Sequence, residues 1–281
     1  MLSYRHAFHA GNHADVMKHL VLLQVLKYFA QKGKPWWYID THAGAGMYAL
    51  DQGYAAQNAE FETGISRLWS RTDLPSPLTE YVTLVKSFNH DGKLRFYPGS
   101  PMIARTQLGT DDRMRLFELH PTDAKFLRRS FKDAGRNVII EAENGFAGIK
   151  ALLPPPPRRA VVLIDPPYEE KQDYVRVVDM LKDSLQRFNT GTYIIWYPLL
   201  QRREPLMMVE KLKKLALPSW LHVTLTVQAQ STEGFGMHGS GLYIINPPWN
   251  LQQTLSGVMP SLVKHLGLDN QASYTLDALI P

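Results

Sequence analysis

Ala160-Val161-Val162-Leu163-Ile164-Asp165-Pro166-Pro167-Tyr168 is the stretch from which the fold is read. An apolar run of strand length ends in an acidic residue, two prolines and an aromatic ring. In open α/β sheets, ligands sit at the carboxyl ends of the parallel strands, so residues placed directly after such a strand are placed for chemistry. The residue types fit one task. The exocyclic amine of a purine is conjugated to its ring and is a poor nucleophile. A carboxylate and a backbone carbonyl that accept its two N–H bonds hold the nitrogen lone pair toward an electrophile. The prolines fix the backbone that aims the carbonyl, and Tyr168 offers a face on which an adenine stacks. Asp165, Pro166 and Tyr168 are therefore the candidate catalytic residues. A strand end followed by a plain proline turn has the same sequence, so the surrounding elements have to support the reading.

Outward from this strand the pattern alternates. Residues 20–29 read as an apolar helix, and 36–39 as a short strand. Further strand signals lie at 115–117, 138–140, 192–196, 222–227 and 242–245, with helical patterns between most of them. Tyr174, Val177, Val178, Leu181, Leu185 and Phe188 share one helix face. Strand–helix alternation predicts a doubly wound, mostly parallel α/β sheet. The segment between the final two strands is rich in glycine and lacks an apolar period, so it cannot be a crossover helix, and those strands should be antiparallel. That places a second motif, Asn246-Pro247-Pro248-Trp249, at the opposite edge of the sheet, where it is expected to be a structural turn. Residues 49–93 look different, helical and punctuated by turns, and are expected to be an inserted subdomain between 1–48 and 94–281. The prolines from Pro154 to Pro157 read as a stiff spacer.

Composition narrows the function classes. The chain has 281 residues, 44% of them hydrophobic and 20% charged, as in an ordinary globular protein. The absence of cysteine excludes disulfide scaffolds, thiolate metal sites and cysteine nucleophiles. No apolar run is long enough to span a bilayer, and the first residues lack a signal peptide's apolar stretch, so a cytoplasmic location with no membrane partner is expected. A formal charge of +5 is compatible with a nucleic-acid partner. Lys125, Arg128, Arg129 and Lys132 share a helix face, and Lys211, Lys213 and Lys214 cluster on another. Either group could track phosphates, although a solvated face is the default for both.

The loop Asp40-Thr41-His42-Ala43-Gly44-Ala45-Gly46 follows a strand, and Gly44 and Gly46 would let the backbone approach a nucleotide closely. Glu118 stands where an acidic residue binds ribose hydroxyls. Asn144-Gly145 follows the strand at 138–140 and suits either an adenine edge or a simple turn. His6, His9, His13 and His19 crowd the N-terminus. Without cysteines or a carboxylate at ligand spacing they read as a polar substrate or cofactor surface, and no metal site is expected. Lys18 could pair with a carboxylate.

Together these motifs resemble the S-adenosylmethionine-dependent N6-adenine methyltransferases, which have a Rossmann-like class I fold with an antiparallel last strand. Residues 4–19, with the loop Asp40 to Gly46, Tyr97-Pro98-Gly99-Ser100-Pro101, Glu118 to Pro121 and Asn246 to Trp249, are similar to the bacterial RlmJ family of 23S rRNA adenine-N6 methyltransferases nearly end to end. The resemblance implies that Asp165 orders the target amine. It implies that His19, His42, Ser100, Glu118, Asn144 and Gly145 surround S-adenosylmethionine, with Lys18 near its methionine end, and that Tyr4 and His6 face the target nucleotide. Asn144 stands where the family often carries Asp. Residues 49–93 would form an RNA-contacting lobe. The implied partner is 23S rRNA, protein-free or in an early assembly precursor, met by a monomer. The same motif would serve DNA adenine methylation, and the family's older label, a role in using external DNA, leaves a non-methylating DNA factor as a further alternative.

Overall fold

Asn12 starts the first helix. Its side-chain oxygen accepts the backbone N–H groups of Ala14 and Asp15, each at 3.0 Å, which satisfies donors that the first turn leaves without partners. The helix α1 (His13–Ala30) begins about two turns before the apolar stretch read from sequence, because this cap and not hydropathy sets its start. In this computed structural model, residues 6–232 and 236–281 are described. α1 is buried almost all round, Asp15, Lys18 and His19 included. It lies against strands on one side and helices on the other.

The strands follow in order as β1 (Trp37–Asp40), β2 (Met47–Ala49), β3 (Phe96–Pro98), β4 (Arg113–Phe117), β5 (Val138–Glu141), β6 (Ala160–Ile164), β7 (Thr192–Leu200), β8 (Trp220–Thr226), β9 (Met237–Ile245) and β10 (Ser273–Leu279). Between them run α2 (Gly53–Asn58), α3 (Ser66–Trp69), α4 (Ser76–Ser87), α5 (Ser100–Arg105), α6 (Pro121–Ser130), α7 (Gly145–Gly148), α8 (Lys171–Arg187), α9 (Arg203–Lys213) and α10 (Leu251–Leu266). The main sheet has the order β10-β8-β9-β7-β6-β1-β4-β5. β7, β6, β1, β4 and β5 are parallel, and β9 runs antiparallel to both β7 and β8. The expected mostly parallel sheet with an antiparallel strand near the chain's end is thus present.

All five residues of β6 are buried. Val161 and Leu163 face the layer that contains α1, while Val162 and Ile164 face the layer that contains α8 and α9. That alternation defines the two cores. Two features escaped the sequence reading. β10 adds an antiparallel edge outside β8; Tyr274, Leu276 and Ala278 alternate with polar residues there, a short period that the sequence reading passed over. β2 and β3 pair with each other apart from the main sheet. They bracket the helical stretch 49–93, whose buried Ala55, Ile65, Leu68, Tyr81 and Val85 join the same core as α1.

Candidate functional site

A cavity of about 370 Å³ opens at the carboxyl ends of the parallel strands, within the usual size for a small-ligand site. The loops after β1, β4, β5 and β6 line it together with α1. It brings together His6, Lys18, His19, His42, Gly44, Ser100, Glu118, Asn144, Gly145 and Asp165 from the sequence reading. Tyr4 lies outside the described residues.

β1 ends on Asp40, whose buried carboxylate accepts from the Tyr38 hydroxyl at 2.7 Å, the Ser100 hydroxyl at 2.7 Å and the His42 N–H at 3.2 Å. Burial pushes its carboxyl up to about 6, and these hydrogen bonds oppose the shift. Ser100 therefore faces the cavity with its proton committed to Asp40. Beyond the loop, Glu118 accepts the N–H groups of Gly44 at 2.8 Å and His120 at 2.7 Å. Burial still pushes Glu118 up to about 7. Two glycines leave no room for a side chain. A Cβ on Gly44, at φ +63°, would stand 2.3 Å from the Tyr48 hydroxyl, and one on Gly145 would stand 2.0 Å from the Thr41 carbonyl. Asn144 uses its side-chain oxygen to cap α7, accepting from Phe146 N–H at 2.9 Å, so this residue forms a turn and lines the cavity at once. The His42 ring packs edge-on against Phe146, and its removal from water pushes it down to about 3, leaving a neutral imidazole.

On the other wall, α1 meets the end of β6. The Lys18 ammonium lies 2.6 Å from one oxygen of Asp165 and 2.9 Å from Asp15. Burial opposes its charge, but the two carboxylates win and hold the ammonium above its usual range. Asp15 also accepts from the backbone N–H of Gly11 and meets His6 Nε2, both at 2.9 Å. Burial opposes its charge too, yet His6, Lys18 and His19 hold Asp15 well below the usual carboxylate range. The His19 Nδ1 is 2.8 Å from the Tyr97 hydroxyl, which meets the Tyr81 hydroxyl at 2.7 Å. Burial pushes His19 down to about 3. His6, His9 and His19 thus serve hydrogen-bond networks: His9 meets Glu60 at 2.9 Å, where Glu60 also takes the Asn12 amide, whereas the buried His13 Nδ1 meets no hydrogen-bond partner among the described residues.

The expectation for Tyr168 has to be corrected. Its backbone turns at φ +52°, which sends the ring down into the core instead of up into the cavity. The ring packs 4.5 Å from that of Tyr174, and its hydroxyl donates to the Trp196 carbonyl at 2.7 Å. Pro166 is buried as well, so its ring takes no part in the cavity wall and only its backbone carbonyl is left to serve the amine, while Pro167 lines the cavity. A half-exposed ring does stand near Asp165. The β6–β7 register ends at Ile164↔Ile195, so its next step sets Trp196 beside Asp165, and the Lys18 ammonium lies 5.5 Å from the Trp196 ring centre.

Asn246 sits after β9, where Ile245 pairs with Tyr193 at the amino end of β7. Its amide donates to the carbonyls of Asn189 and Gly191, each at 2.8 Å, which ties together a turn at the edge opposite the cavity. Asp15, Asp40 and Tyr48 are site residues that sequence reasoning missed. Only Asp15 carried a signal, its i,i+3 spacing to Lys18 behind a capping asparagine.

Known proteins share both the chain and its architecture. A family model described as "Ribosomal RNA large subunit methyltransferase D, RlmJ" matches residues 33–280. Ribosomal RNA large subunit methyltransferase J of Haemophilus influenzae is 44% identical over 282 residues, and its Escherichia coli counterpart is 44% identical over 281, each match covering 100% of both chains. The crystal structure of a Legionella pneumophila protein aligns with a TM-score of 0.89 at 34% identity, over 96% of this chain and 98% of that one. With a carboxylate–proline turn facing a glycine-lined cavity at the carboxyl edge of such a sheet, the chain belongs to the RlmJ family of large-subunit ribosomal RNA methyltransferases.

Proposed function

We propose that this chain methylates the N6 amine of an adenine in 23S rRNA. The observation that carries the reading is the placement of Asp165, which ends β6 at the cavity, is followed by two prolines and is fixed by the Lys18 ammonium at 2.6 Å. The names of the full-length relatives support a ribosomal RNA substrate.

S-adenosylmethionine is the methyl donor, and when bound it supplies a methyl group made electrophilic by a sulfonium. The residues present fit it. Gly44 and Gly145 line the cavity where Tyr48 and the Thr41 carbonyl pack too closely for a Cβ, so only bare backbone stands there. Glu118 retains lone pairs for a ribose diol beyond the two N–H groups it accepts. His19, His42, Ser100 and Asn144 lie around the same cavity, and Lys18 joins this wall to Asp165.

Asp165 then accepts one N–H of the target amine and the Pro166 carbonyl accepts the other. The nitrogen lone pair is left facing the methyl group, no proton has to leave before the attack, and the Asp165 carboxylate takes the N–H proton that becomes acidic once the new N–C bond has formed. Positioning supplies most of the acceleration, because a charged donor becoming neutral asks little stabilisation of the protein. Lys18, held by Asp15 from behind, keeps the Asp165 carboxylate from rotating away. His6 faces the target nucleotide, and the inserted segment 49–93 contacts flanking RNA. The test is transfer of labelled methyl from S-adenosylmethionine to protein-free, unmodified 23S rRNA, with DNA alongside and products digested to nucleosides. Wild-type protein should yield N6-methyladenosine from the RNA alone. Asp165→Ala should bind the cofactor and give no product. Normal turnover by that variant, or label in the DNA alone, overturns the reading.

A further inference from the structure

The cavity is one-sided. Among the described residues, none of β7 lines it, although β7 neighbours β6 beside Asp165. β7 and β9 rise past β6 there: the β6–β7 pairing ends at Ile195, while β7 continues to Leu200, paired with Met237. Five further residues at about 3.3 Å each lift this ribbon roughly 16 Å above the catalytic edge. At its top the chain turns into α9.

Arg202 and Arg203 stand at that turn, both exposed. Arg202 lies close enough to Tyr174 and Glu204 to act on them electrostatically, but neither guanidinium is drawn into an ion pair or side-chain hydrogen bond among the described residues, whereas Glu204 is occupied by Lys171 at 2.8 Å. One turn further, on the Arg203 face of the helix, Leu206 and Met207 are 64% and 51% exposed. Two planar cations that match phosphate geometry thus adjoin two exposed apolar side chains, one strand over from β6 and roughly 16 Å above its end.

The other basic groups are placed differently. α9 ends with Lys211 and Lys213 at the opposite rim, near the start of β8, and Lys213 is engaged by Asp277 at 3.5 Å. The α6 stripe of Lys125, Arg128 and Arg129 flanks β5, on the opposite side of β6 from β7.

We infer that the shoulder formed by Arg202, Arg203, Leu206 and Met207 docks the RNA that flanks the target adenosine, with the arginines on phosphates and the apolar pair against unstacked bases. This rests on the ribosomal RNA reading above. The experiment compares methyl transfer to protein-free, unmodified 23S rRNA by wild-type protein, by Arg202→Ala/Arg203→Ala and by Lys125→Ala/Arg128→Ala/Arg129→Ala. In the shoulder variant the KM for RNA should rise about tenfold, and the dependence of log KM on log salt should become shallower by about 1.4, as expected for two lost phosphate contacts. Its affinity for S-adenosylmethionine and its melting temperature should match wild type, since both arginines are exposed. The α6 variant should keep the wild-type KM. Leu206→Ser/Met207→Ser should raise KM with an unchanged salt slope.

An unaltered KM in the arginine variant of an active wild type overturns the inference alone. So does a raised KM with an unchanged salt slope, because the arginines would not then be meeting phosphates, and so does a defect confined to the α6 variant. A wild type that methylates no RNA overturns the substrate reading and this inference with it.

Discussion

Glu118 and Asp40 are carboxyls withdrawn from water in a cavity built for a ligand, and their titration is exposed to a simple test. Each has a folded-state pKa above its unfolded value, near 7 against 4.5 for Glu118 and near 6 against 3.8 for Asp40. Between those values the folded chain holds a proton that the unfolded chain has lost. Their contribution to stability is therefore full in acid, falls as pH rises through that window and is gone above about pH 7. Glu118→Gln should flatten the stability–pH curve of the ligand-free protein between pH 4.5 and 7, by about 3 kcal/mol. Thermal melts across that range check it, and a variant curve as steep as wild type refutes it. At this scale Asp165, Glu118, Gly44 and Asn144-Gly145 were legible, because each sits in one short stretch directly after a strand. Asp15 carried only its i,i+3 spacing to Lys18, because its part depends on Lys18 also reaching a residue 147 positions away. Tyr168 was misread because the sequence does not show the sign of a φ angle.

Among elements, the closest approach is that of the helical segment 49–93 to the N-terminal segment. The Ile65 N–H donates to the Gly11 carbonyl at 2.9 Å, and a Cβ on Gly64 would stand 2.0 Å from that same carbonyl. Backbone cannot yield there as a flexible side chain would. Gly64→Ala should cost about 1–3 kcal/mol, the range for overpacking, and should weaken cofactor binding, since Gly11 also donates to Asp15. Denaturant unfolding with a parallel binding titration checks both effects, and a variant unchanged in both would refute the packing argument. Buried strands such as β6 were readable from hydropathy. β2 and β3 were not, since three residues each are too few to show a period.

For the whole molecule, the order of the sheet leaves β10 as a guard strand. It pairs along the full length of β8, from Ser273↔Thr226 to Leu279↔Trp220. A chain ending at Gly267 would present the β8 backbone as a free edge, which invites pairing with other copies. Such a truncation should form soluble oligomers or aggregates where the full chain does not, as light scattering at matched concentration would show; a monodisperse truncation would refute the role. The doubly wound plan was legible because helix and strand periods differ, whereas the short alternation of Tyr274, Leu276 and Ala278 at this edge was passed over.

The ion pair between Lys18 and Asp165 also has a history in time. A ribosome adding about 5–20 residues per second delivers the 147 intervening residues only after roughly 7–30 s. Throughout that interval α1 exists without β6, and its lysine has no Asp165 to meet. Asp15, three residues upstream, is synthesised first and closes on Lys18 within a single helical turn. The newborn helix therefore carries its own provisional counter-charge, and the last partner to arrive completes the catalytic wall.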